Sequence, residues 1–251
     1  MTHLSNQFNK KFNLGVRLFL LSILLPFIIV SCSALLPKQT IQTAYYSLDA
    51  LNLNAQRNVT QMANDNLQAI IICSPKASAG FNTRHIMYSK SPHQLAYFAN
   101  SEWIDTPSNM LQPMIMLAVK NTGMFSVNLP FVSKLSKSTA HFASKTLRIE
   151  TQIDRLLHDF SQKPSVVHLL LRVTILEHAT NKVLAQRDFI EQTNAISDNP
   201  YGGVMAANQA VNIVLQKLAS FTQQTALAWR DVEKNTDKDT DSDTHTNQPL
   251  K

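Results

Sequence analysis

Cysteine, glycine and charge are all scarce in this chain. Its 251 residues include two cysteines, Cys32 and Cys73, and five glycines, and charged residues make up 16%. Two cysteines cannot staple a small loop-rich scaffold, so the fold has to rest on a hydrophobic core. Neither the phosphate-cradling P-loop pattern nor the GxSxG turn of serine hydrolases is present. Eight histidines occur, but none stands at helical ligand spacing and there is no HExxH, so no metal site is expected. Asp154 and Asp159 are the nearest thing to a carboxylate pair. Five residues apart on a strand, they are expected on opposite faces. No catalytic residue, cofactor site or metal site is assigned, and the chain is read as a non-enzyme.

Long apolar runs are scarce too. Leu18–Val30 is 13 residues long. A membrane span needs roughly 20 apolar residues, whereas a secretory leader uses a shorter core. Lys10, Lys11 and Arg17 precede or open this run, with no acidic residue among them. The sequence Ile29-Val30-Ser31-Cys32 follows and resembles a bacterial lipobox, with Ile29 where leucine is usual. A thiol next to a small residue suits lipid transfer, so Cys32 is the expected lipidation site. Residues 1–31 are then the signal peptide. Two or more acyl chains, each adding about 0.8 kcal/mol per buried CH₂, tether a protein stably. Ser33 after the cysteine favours the outer membrane by resemblance to bacterial sorting rules.

With the leader removed, the formal charge of +6 falls to +3. The segment after Arg230 carries six acidic residues and three lysines, so the body between Cys32 and Arg230 is itself +6. That balance suits an anionic membrane surface or acidic partner, and export argues against nucleic acid. Cys73 lies in Ala69-Ile70-Ile71-Ile72-Cys73 and is expected to be a buried free thiol.

Residues 32–42 read as a tether, 43–230 as one domain, and 231–251 as a disordered acidic tail without apolar period. Strands are expected at Thr43–Leu48, Leu67–Cys73, Arg84–Tyr88 and Gln94–Phe98, and the second is apolar enough to be central. Loops are expected over Asn52–Asn66 and Ser133–Ser144. Thr106-Pro107 signals a helix start, and Met110, Met114, Leu117 and Ala118 predict its buried face. Pro113 conflicts with that helix, implying a kink or a later start. Strict alternation at Leu147, Ile149, Thr151 and Ile153, and at Val167, Leu169, Leu171, Val173 and Ile175, predicts two long strands. With Lys182–Gln192 they form an antiparallel meander. A last helix carries Val204, Ala207, Val211, Val214, Leu215 and Leu218 on one stripe, capped by Asn199-Pro200 and weakened by Gly202 and Gly203. The fold class is α+β, a mixed or antiparallel sheet with helices packed on it.

Three segments carry a family resemblance: Tyr45-Tyr46-Ser47-Leu48 close after the lipobox, Phe81–Tyr88, and Leu95-Ala96-Tyr97-Phe98 running on to Trp103 and Pro107. The chain resembles the ABC-type transport auxiliary lipoprotein family, which includes the lipoprotein of a paraquat-inducible intermembrane transport system. The acidic tail and the polar insert near Ser133–Ser144 depart from its pattern. The resemblance implies a lipid-anchored accessory subunit on the periplasmic face of the outer membrane. Its implied partners are ABC transporter subunits and a periplasmic MCE-type protein in phospholipid traffic. A homo-oligomeric ring would suit such a collar role.

Tyr97, Phe98 and Trp103 are candidates for partner or lipid contact, or for core aromatics. Tyr97 and Trp103 are the partner-contact residues carried forward. Arg84 and the run Lys134, Lys137, Lys145 and Arg148 are candidates for acidic contacts, or solvated charges. A second reading is a lipid carrier, with Met110, Met114 and Met116 lining a pocket. A third is an envelope-assembly lipoprotein.

Overall fold

The computed structural model describes residues 42–49, 68–128 and 146–243, with side chains as far as Val232. Cys32, the loop expected over 52–66 and the polar insert over 133–144 lie outside the described residues. The described elements are β1 Ala44–Tyr46, β2 Gln68–Ile72, β3 Lys76–Ala77, β4 His85–Ser89, β5 Ala96–Trp103, α1 Pro107–Lys120, β6 Phe125–Asn128, β7 Leu147–Asp159, β8 Val166–Glu177, β9 Val183–Asn194 and α2 Pro200–Asp243.

The alternating segment at 147–153 becomes β7, and β7 organises the sheet. Along one edge it pairs with β8, antiparallel, and β8 pairs with β9, antiparallel, giving the expected meander. Its other edge is shared in succession by β2, β3 and β4, all parallel. β2 carries β6 on its far side, which explains its near-continuous apolar run. Beyond β4 come β5, antiparallel, and β1, parallel to β5. The nine described strands form one mixed sheet with two helices packed on it, the α+β arrangement expected. Leu147, Ile149 and Ile153 on β7, and Leu171, Val173 and Ile175 on β8, are nearly or fully buried against the helices. Cys73 is half-buried rather than buried. Burial, then the Glu150 charge, pushes its thiol pKa up, which disfavours the reactive thiolate.

A bulge in β7 corrects one expectation. The pairing shifts between Ile153 and Arg155, so Asp154 is an extra residue and the later positions change phase. Asp154 and Asp159 therefore share the sheet face turned away from the helices. They are still no catalytic pair, because each has separate partners. Asp154 accepts from the Ser78 hydroxyl at 2.7 Å and faces Arg172 at 3.2 Å, whereas Asp159 lies 3.5 Å from His168. The Ser78 hydrogen bond is the main reason the Asp154 carboxyl sits below its ordinary range.

α1 starts at Pro107 as expected and continues through Pro113, which lies on its exposed side. Its buried face is Leu111, Met114, Ile115, Ala118 and Val119, rotated by about one position from the expected Met110, Met114, Leu117 and Ala118. Thr106 makes no capping bond with its side chain; Asp105 accepts instead from the Thr106 N–H at 2.6 Å and from the Asn109 amide. The expected stripe of α2 is buried at every position, and Phe221 and Ala226 extend it. Asn199 caps α2 by accepting from the Gly202 N–H at 2.9 Å. Helical backbone runs on to Asp243, past the boundary at 230 where the irregular tail was expected to begin. Once a packed helix exists, each further residue adds a bond without new nucleation.

Candidate functional site: a surface on β1, β4 and β5

The three segments that carry the family resemblance are separate in sequence and adjacent in space. Ala44, Tyr45 and Tyr46 pair with Ser101, Glu102 and Trp103, and β5 pairs in turn with β4. Their junction is knitted by the backbone. The Trp103 N–H donates to the Arg84 carbonyl at 2.7 Å, and the Ile104 N–H donates to the Tyr46 carbonyl at 2.7 Å. Arg84 Nε donates to the Trp103 carbonyl at 3.1 Å.

The sheet sorts the aromatics between its two faces. Tyr97 and Trp103 are six residues apart, so an unbroken strand would place them together. The β4–β5 register breaks, from His85 opposite Glu102 to Met87 opposite Tyr97, and the phase of β5 changes between them. Trp103 is consequently 3% exposed and part of the core, which removes it as a partner-contact residue. Phe98 faces the same way and stacks among Tyr88, His158 and Phe160. Tyr97 is 55% exposed on the opposite face.

Around Tyr97 stand His85 and Glu102, which the sequence did not single out, and Arg84, which it did. His85 stacks on its ring at 4.4 Å and lies 3.7 Å from Glu102. Arg84 sits 3.8 Å from Glu102 and has its guanidinium 5.4 Å from the Tyr45 ring centre. Tyr45 and Ile104 are both 55% exposed. The result is an aromatic and apolar surface with one cation and one anion at its centre. Tyrosine and arginine are the residue types that anchor protein interfaces.

The residues that follow β1 are fastened to both helices. Asn208 of α2 accepts from the Asp49 N–H at 2.8 Å and donates to the Ser47 carbonyl at 3.0 Å. The Met110 sulfur accepts from the Leu48 N–H at 3.4 Å.

Two other clusters were tested as sites. His158 Nε2 lies 2.8 Å from the Ser165 hydroxyl, and Asp198 lies nearby, a grouping with the residue types of a hydrolytic triad. Ser165 is fully buried, and the Asp198 carboxylate accepts from the Ser165 N–H at 3.0 Å, not from the imidazole. The cluster is a clasp joining the β7–β8 turn to the start of α2. Burial lowers the His158 pKa below its ordinary 6.5, opposed by the Asp198 and Asp159 charges. A depressed histidine pKa means that the unfolded chain binds the proton more readily. Stability from this group is full above about pH 6.5 and is lost as pH falls toward the folded value. Denaturant midpoints should therefore fall between pH 7 and 5, and His158→Gln should flatten that trend.

The methionines do not line one pocket. Met114 is buried in the core, Met110 holds Leu48, and Met116 lines an open groove of about 510 Å³ with Leu117, Lys120, Phe125, Ser126 and Val127. Arg148 is engaged by Glu150 at 3.1 Å and Asn181 at 2.7 Å. Its partners in the expected basic run lie outside the described residues. Among the described residues no group of three or more histidine, cysteine or acidic side chains is placed to hold a metal.

The same fold is found in solved structures. A protein from Xanthomonas campestris matches at a TM-score of 0.57 and 17% identity, over 66% of this chain and 89% of its own. A second, uncharacterized protein matches at 0.54 and 11% identity, over 72% and 99%. The PelC dodecamer from Paraburkholderia phytofirmans reaches 0.36 at 8% identity, over 60% and 87%, too slight a likeness to transfer its assembly. No curated protein matches the sequence.

The family model for the ABC-type transport auxiliary lipoprotein component matches residues 46–219, and the chain belongs to that family. It is an auxiliary lipoprotein of ABC-type transport. No helix among the described residues is long and apolar enough to cross a membrane.

Proposed function

We propose that this protein is a lipid-anchored, non-enzymatic accessory subunit of an intermembrane phospholipid transporter. Lipid on Cys32 holds it at the periplasmic face of the outer membrane. The surface around Tyr97 docks a periplasmic MCE-type partner, which links it to the ABC transporter subunits. The observation that carries this reading is the convergence of the three family-bearing segments on one exposed surface. A recognition surface fastened directly to an anchored chain can hold a partner at a fixed distance from the membrane. The buried apolar cluster between sheet and helices is read as packing core, which favours docking over internal carriage.

Cys32→Ser should move the protein from the membrane fraction to the soluble fraction, since no acyl chain would remain. Fractionation of envelopes with an antibody to the domain reads this directly. A variant that stays fully membrane-bound would remove the anchor from the proposal. The lipid carrier is the second reading, and the groove at Met116 favours it. Stoichiometric phospholipid co-purifying with the protein alone would support it.

A further inference from the structure

One end of the sheet gathers three loops. β4 turns into β5 there through residues 90–95, β7 into β8 through 160–165, and β9 leads through 195–199 into α2. Ser89 pairs with Asp159 and Val166 with Asn194, so the three loops leave the sheet at one level. Hydrogen bonds tie them together. The Phe160 N–H donates to the Ser89 carbonyl at 2.8 Å, the Ala195 N–H to the Ser165 carbonyl at 2.7 Å, and the Ser165 N–H to the Asp198 carboxylate at 3.0 Å. Large apolar side chains nevertheless point out of this end. Leu95 is 53% exposed, Ile196 71% and Tyr201, in the first turn of α2, 54%. Lys90 and Lys163 are exposed on the first two loops.

We propose that this end of the domain is itself seated on the lipid surface, with Leu95, Ile196 and Tyr201 in the headgroup region. The proposal rests on the reading of Cys32 as the lipid anchor. Strand direction and chain length carry it. β1 runs parallel to β5 with Ala44 opposite Ser101, so the chain enters β1 from the direction of the loop end. From Ser101 back to Leu95 the strand covers about 20 Å. Thr43 is eleven residues beyond Cys32. A chain of that length spans at most about 36–40 Å, enough for Cys32 to stand in a membrane on which the loop end rests. To seat the opposite end, the chain would have to double back before β1.

The side chains suit a shallow contact. Tyrosine sits with its ring at the headgroup level, and aliphatic side chains reach the acyl boundary. A lysine lays its stem along apolar surface and keeps its ammonium among the phosphates. The carboxylates of this end are Asp159 and Asp198, and each already accepts from a backbone N–H, of Ser161 at 2.8 Å and of Ser165 at 3.0 Å. The bonds between the loops hold the apolar residues in place, so the contact requires no folding on binding. It lies at the end of the sheet, apart from the face that carries Tyr97.

The test uses the full lipidated protein in vesicles of phosphatidylethanolamine and phosphatidylglycerol, with circular dichroism to confirm that each variant folds. In a Cys73→Ser background, a fluorophore is attached at Leu95→Cys, Ile196→Cys or Thr180→Cys, the last on the β8–β9 turn at the opposite end. A quencher carried on the lipid chains reads nearness to the bilayer. Interfacial side chains lie about 5–10 Å into the headgroup boundary, so quenching at Leu95 and Ile196 should exceed that at Thr180 about threefold or more. Ile196→Glu/Tyr201→Glu sets two carboxylates against the anionic surface and should bring quenching at Leu95 down to the Thr180 level. Equal quenching at all three positions in protein that floats with the vesicles would overturn the contact and leave the anchor standing. Quenching at Leu95 that ignores the two glutamates would do the same. A chain whose mass shows no lipid on Cys32 would overturn both.

Discussion

Trp103→Ala should cost about 3–5 kcal/mol of stability, the range for removing a large aromatic from a core. A domain stable by about 5–15 kcal/mol would lose a fifth or more of its margin. Trp103 is 3% exposed, and its backbone holds Arg84 by two hydrogen bonds. The cavity would open where β1, β4 and β5 meet, so β1 should loosen first. Tyr97→Ala, on the exposed face of the same strand, should change stability by no more than about 0.5 kcal/mol. Urea unfolding of both variants separates them. Equal stability losses would mean that the two residues do not lie on opposite faces.

Gly203→Ala carries the other large effect. In a helix, alanine ordinarily gains about 1 kcal/mol over glycine. Here the added Cβ would fall on the His158 ring. That ring cannot move freely, since Nε2 is held by the Ser165 hydroxyl and Phe160 lies 4.1 Å away. Displacing it breaks a buried hydrogen bond and overpacks the site, each costing about 1–3 kcal/mol. The net expectation is destabilisation by about 2–4 kcal/mol. In a His158→Ala background the obstacle is gone, and Gly203→Ala should be neutral or mildly stabilising. A double-mutant cycle by denaturant unfolding measures that coupling. Gly202 has the same explanation, since a Cβ there would meet the Ser197 carbonyl. Gly203 is what allows α2 to approach His158 at the end of β7, and Gly202 allows Ser197 to fold back on the start of the helix.

Much of the fold was legible because it follows from period. The alternation in β7 and β8 and the stripe on α2 place buried residues without knowledge of any partner. What failed was phase. One bulge at Asp154 and one register break in β5 each shifted the side chains beyond them to the other face. Such irregularities depend on how neighbouring strands align, and nothing local in the sequence marks them. Tyr97 and Trp103 were paired as contact residues by their nearness in the chain, and the register break separates them. The face of α1 was misjudged for a related reason. Met110 and Leu117 are as apolar as Leu111 and Ile115, and tertiary packing chooses between the two overlapping stripes. The surface site was legible only as three separate segments. Its members Arg84, His85 and Glu102 become a group through strand pairing, which no spacing reveals.

The docking of a transporter component at Tyr97 is best tested by a photo-cross-linking residue placed there in the full-length protein, in its native envelope. A matching probe at exposed Thr180 on the β8–β9 turn serves as the control. The expected result is an adduct with an MCE-type periplasmic protein from Tyr97 and none from Thr180. Adducts from Tyr97 that contain no transporter component, or the same adduct from both positions, would contradict the docking assignment.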